Sequence, residues 1–112
     1  MKCSLIGFWL TALAFSAPAA PAMAQDRSRQ QAACANVTQQ NDFQSIVEAC
    51  TALIQSGRLS GPDLAIALSN RGAGYSGQKD YTRALVDLSE AIRLNPRFAM
   101  TFYNRGNAYR SQ

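Results

Sequence analysis

Two asparagines, Asn70 and Asn104, stand 34 residues apart at the head of near-identical hexapeptides, NRGAGY (70–75) and NRGNAY (104–109). A side-chain amide offers a donor and an acceptor side by side, matching the N–H and C=O of an extended peptide backbone. Two such amides at a fixed interval could clamp a main chain without reading its side chains. The second pair with chemistry is Cys34 and Cys50. In an oxidising compartment an even pair reads as one disulfide, set against the alternative of two free buried thiols. Closing the 17-residue loop between them contributes roughly 3 kcal/mol on the chain-entropy estimate.

Little else in the chain could react. There is no histidine, which excludes His-based triads, His metal ligands and imidazole proton shuttles. The seven acidic residues are isolated or stand at expected helix caps. No serine lies in a nucleophile-elbow context, no Gly-rich phosphate loop follows a strand, and Cys34 and Cys50 are not spaced for zinc. The expectation is a protein that is not an enzyme and uses no cofactor and no metal. An enzymatic domain beyond residue 112 is the one reservation.

The first residues set the compartment. Lys2 precedes an uncharged apolar stretch, 3–15, then Pro18 and Pro21, which are expected to break any helix, and Ala22-Met23-Ala24. This is the pattern of a secretory signal peptide over 1–24, too short for a membrane span and followed by polar residues; a retained anchor is the alternative. Without Lys2, ten Lys and Arg face seven Asp and Glu, and the basic residues are scattered singly. That pattern makes no case for nucleic acid or for stable membrane insertion after cleavage.

The elements that would position the asparagines are helices. In 80–96, Tyr81, Ala84, Leu85, Leu88, Ala91 and Ile92 form one stripe at helical spacing, with Asp80 as N-cap and Pro96 as stop. The preceding segment, 61–78, opens at Pro62 and is expected to close on Gly77 as a left-handed C′ residue. So short a connection predicts an antiparallel pair. At an offset of 38, Phe43, Ile46, Val47, Cys50, Leu53 and Ile54 repeat the stripe, placing Cys34 opposite Gly72 and Val37 opposite Tyr75. The expected order is a weak hairpin over 25–61 stapled by Cys34–Cys50, a clean hairpin over 62–96, and a lone helix over 97–112. That last helix belongs to a truncated chain or acts as a crude cap.

Numbered from Ala65, one helix–turn–helix unit of 34 residues carries Leu68, Gly72, Tyr75, Ala84, Leu88, Ala91 and Pro96, and Phe102, Gly106 and Tyr109 take up its first three places again from Ala99. This pattern resembles the tetratricopeptide repeat, well over 65–112 and poorly over 31–64. The resemblance implies an all-α fold of stacked antiparallel helix hairpins, a segment of a right-handed superhelix, of the exported bacterial type with NRG-x-x-Y repeats. It makes Gly72, Gly106, Tyr75 and Tyr109 packing residues.

The resemblance also places Asn70 and Asn104 on the concave wall, similar to the asparagine ladders of O-linked N-acetylglucosamine transferases. A bond within the stack is the alternative for both. Ser69, Ala73, Tyr103 and Asn107 would line the same wall, with Ser76 and Arg110 beside them. No lysine-rich carboxylate clamp is present, which argues against chaperone-tail binding. Arg71 and Arg105 are expected to turn toward carboxylates on the adjoining helix, Asp87 and Glu90. The function this implies is a periplasmic, or else secreted, scaffold that binds an extended peptide or partner protein. The alternative is an oligomerising segment whose end helix docks on another subunit or domain.

Overall fold

The computed structural model describes residues 20–35 and 42–112; residues 1–19 of the signal peptide read over 1–24, and the placement of Val37, lie outside them. Five helices follow one another, with no strand among the described residues: α1 Ala20–Ala35, α2 Phe43–Gln55, α3 Gly61–Gly77, α4 Tyr81–Leu94 and α5 Ala99–Ser111. Consecutive helices pack against each other, and α3 also touches both α1 and α5. The odd-numbered helices therefore form one layer and α2 and α4 the other. This is the stacked-hairpin architecture of a tetratricopeptide-type fold.

Local chemistry sets most boundaries. Asp42 caps α2 by accepting from the Ser45 N–H at 3.2 Å and from the Ser45 hydroxyl, and these bonds hold its carboxyl below the ordinary carboxylate range. Ser60 caps α3 by accepting from the Asp63 N–H, with Pro62 in the first turn where a missing N–H costs nothing. Asp80 caps α4 through the Arg83 N–H at 3.2 Å. By contrast Phe98, at the N-cap of α5, makes no side-chain capping bond.

Two expectations are corrected. Pro21 does not break a helix: it sits in the first turn of α1, which begins at Ala20, ahead of the expected cleavage point. Gly77 is not the left-handed residue that ends α3. The positive φ, 62°, belongs to Lys79. Around it the Lys79 N–H donates to the Ser76 carbonyl and the Asp80 N–H to the Tyr75 carbonyl, a Schellman closure. Gly77 is small for another reason, since a Cβ there would fall 2.3 Å from the Phe43 ring. Because a side chain in the left-handed region is strained, Lys79→Gly is expected to stabilise the fold by about 0.5–1 kcal/mol, net of the added chain entropy. A raised urea midpoint at constant m-value would show it.

Both expected stripes are buried. Ile46, Cys50 and Leu53 of α2 meet Cys34 of α1 and Ala67 of α3 in one core, with Phe43, Ile54 and Leu59 around it. Ala84 and Leu88 of α4 meet Ala108 of α5 in a second, flanked by Tyr75 and Tyr81. The sulfurs of Cys34 and Cys50 are joined, with Cα atoms 4.8 Å apart, one on each helix of the first hairpin. From Pro21 to Ala35, Cys34 is the one buried residue.

Candidate functional site

The α3–α4 crossing shows why the small residues are small. A Cβ on Gly72 would lie 2.7 Å from Leu88 Cγ and 3.2 Å from the Ala84 carbonyl oxygen. The residue before it, Arg71, forks onto Asp87, Nε to Oδ2 at 2.7 Å and Nη2 to Oδ1 at 2.8 Å, while its Nη1 donates to Thr51 Oγ1 of α2 at 3.3 Å. Those bonds to Asp87 push the guanidinium pKa up, against the opposing effect of burial. Tyr75 lies between the guanidinium groups of Arg71 and Arg83, 5.8 and 5.7 Å from its ring centre.

Such an arrangement joins three helices, α2, α3 and α4, through one side chain. The family model of the tetratricopeptide repeat matches residues 65–98, the span that holds this crossing and its turn. Residues 65–98 are thus similar to a tetratricopeptide repeat. No curated protein and no solved structure matches the chain. In the repeat, the arginine of the NRG triplet is a structural group, as expected. Its carboxylate is Asp87 alone, because Glu90 is taken by Arg93 three residues on, with Nε to Oε2 at 2.8 Å.

The residues proposed for the concave wall divide. Ile66, Asn70 and Ala73 fall one turn apart on α3, and Met100, Asn104 and Asn107 hold the equivalent line on α5. Asn70 and Asn104 are both half-buried, and neither amide makes a hydrogen bond among the described residues. Asn70 borders a cavity of about 220 Å³ that runs between α1 and α3, with Gln31, Cys34, Leu59 and Ile66 among its lining. Asn107 accepts from Arg110 Nη2 at 2.6 Å and is half-buried.

Ser69 does not belong to this wall. It is fully buried, and its Oγ takes the Thr101 hydroxyl at 3.1 Å, so it seats α5 against α3. Tyr103, the equivalent residue on α5, is 65 % exposed because no further helix covers it among the described residues. Gly106 and Tyr109, expected as packing residues, are exposed for the same reason. Arg105 finds no carboxylate among the described residues and stacks instead over Phe102, 5.6 Å from the ring centre.

The wall is also less polar than expected. Ile66 and Met100 are 41 % and 53 % exposed and bracket the asparagines. Their place four residues before each asparagine was the signal that could have found them. No described helix is long and apolar enough to cross a membrane. The described residues hold no group of three or more Cys, Asp or Glu able to bind a metal.

Proposed function

We propose that the chain is an exported, non-enzymatic scaffold that binds an extended peptide or a partner protein along the face shared by α3 and α5. Asn70 and Asn104 grip the ligand main chain, and Ala73 and Asn107 border it. Ile66 and Met100 offer apolar contact to alternate ligand side chains. The observation that carries this reading is the pair of half-buried amides, one repeat apart, with no partner among the described residues. A polar group held part-way out of water gains most from a partner that satisfies it. The secretory pattern of the first residues, together with the Cys34–Cys50 bridge, supports an oxidising compartment, the periplasm first.

The double variant Asn70→Ala, Asn104→Ala tests the reading. Two lost hydrogen-bond pairs at about 1 kcal/mol each correspond to a weakening of ligand binding by roughly 30-fold. Thermal stability is expected to stay within about 0.5 kcal/mol of wild type, as for substitutions that break no internal contact. Affinity capture from a periplasmic extract, wild type beside the double variant, reads the first effect, and thermal unfolding reads the second. Partners retained equally by both proteins, or a double variant that unfolds, would remove the asparagines from the binding role.

A further inference from the structure

The cavity beside Asn70 is built by α1, α2, α3 and the connection between the last two. Cys34, Leu53 and Ala67, all buried, make its floor. Leu59 of the connection and Ile66 of α3 carry the apolar lining up to the rim. On α3, Asp63, Ile66, Ala67 and Asn70 share one face of the helix, with the carboxylate at one end of the cavity and the amide at the other. The rise between those polar ends is about 10 Å, which an extended chain crosses in about three residues.

Size and chemistry select the occupant. A volume of about 220 Å³ falls below the usual range of a small-molecule site, about 300–1,000 Å³. It is ample for one leucine- or phenyl-sized side chain, since a dry apolar cavity of about 150 Å³ already holds a benzene ring. Asp63 is the one charged residue in the lining, at the end away from Asn70. A wider hollow of about 430 Å³ adjoins the cavity and shares Leu53, Leu59 and Asp63 with it. That space is also bordered by Asp26, Arg27 and Arg58, and two carboxylates set against two guanidiniums favour neither charge.

We propose that the smaller cavity is a specificity pocket, taking one aliphatic or phenyl side chain of an extended peptide whose main chain Asn70 holds at the pocket's edge. This rests on the role of Asn70 given above and adds the residue that the ligand must carry. The bridge gives the pocket its α1 wall. Gln31, Cys34 and Ala35 form that wall, and Cys34 alone among residues 21–35 is buried. Its bond to Cys50 therefore fixes the distance of the wall from α3.

The probe is a library of random linear peptides displayed on phage and selected on the oxidised whole chain. Selected peptides are expected to share one aliphatic or phenylalanine position. Its replacement by alanine in a synthetic copy should weaken binding about ten- to hundredfold, as for withdrawal of a buried apolar side chain. Ala35→Leu fills the cavity from its exposed rim and should weaken the parent peptide by a similar factor while leaving the alanine peptide unchanged. Ile66→Ala widens the cavity and should move the preference toward a larger side chain. Both positions are exposed, so helix content should not change. Asn70→Ala with Asn104→Ala should weaken the parent and alanine peptides by the same factor, because it removes main-chain bonds only. Selected peptides without a common apolar position, or binding indifferent to both Ala35→Leu and Ile66→Ala, overturn the pocket and leave the amide wall standing. An apolar preference that persists while the asparagines prove irrelevant overturns the amide wall and, with it, the placing of this pocket at a main-chain grip. Failure to select any peptide overturns both.

Discussion

Asp87→Ala is expected to destabilise the protein by about 3 kcal/mol, the low end for breaking a buried ion pair. The side chain of Asp87 is 7 % exposed and that of Arg71 18 %, so removing the carboxylate strands a guanidinium that water reaches only at one edge. Thr51 Oγ1 keeps one of its N–H groups and Tyr75 keeps the face, which is why the low end applies. For a domain of this size the loss corresponds to roughly 15 °C in Tm. A companion variant separates the pair's net worth from the cost of orphaning one half. Arg71→Met with Asp87→Leu removes both charges and fills similar volume, and is expected to recover most of the stability. Urea unfolding of the single and double variants measures both. A single variant costing under about 1 kcal/mol would reduce the pair to an ordinary surface bridge.

The legible part of this fold was the part whose period is enforced by burial. The stripes of α2 and α4 could be read because Ile46, Cys50, Leu53, Ala84, Leu88 and Ala91 must each point at a neighbour, and helical spacing reports that directly. Caps were legible where the side chain itself makes the bond, as at Asp80. The left-handed residue after α3 was not. Gly77 carried the expected signal, but its lack of a side chain serves the Phe43 ring, and the turn falls two residues later on a lysine that shows no preference for it.

In the candidate site, position within the repeat was readable and exposure was not. Ser69 and Tyr103 are the same place in successive repeats, on α3 and α5, yet one is sealed by Thr101 and the other is open. The same holds for Arg71, which finds Asp87, and Arg105, which finds only Phe102. A repeat gives each residue its direction; the neighbouring helix decides whether that direction is core or surface.

Reducing the Cys34–Cys50 bridge is expected to release α1 and loosen α2 while α3–α5 stay folded. The helix has almost nothing else to hold it: between Pro21 and Ala35 every residue but Cys34 is exposed. Its attachment therefore rests on one side chain in the core of Ile46, Cys50, Leu53 and Ala67. On the chain-entropy estimate the closed loop is worth about 3 kcal/mol, more than burial of a single small side chain can replace. The second core is remote from this loss, since Ala84, Leu88 and Ala108 touch neither cysteine. Hydrogen exchange after reduction should show α1 amides unprotected, α2 partly so, and α3 and α4 close to their oxidised values. The double variant Cys34→Ala, Cys50→Ala should behave alike without reductant. If α1 stayed protected in either case, the polar helix would have to be held by contacts other than the bridge. If instead protection fell along the whole chain, the two cores would unfold as one unit, and the staple would support the complete stack rather than its first hairpin.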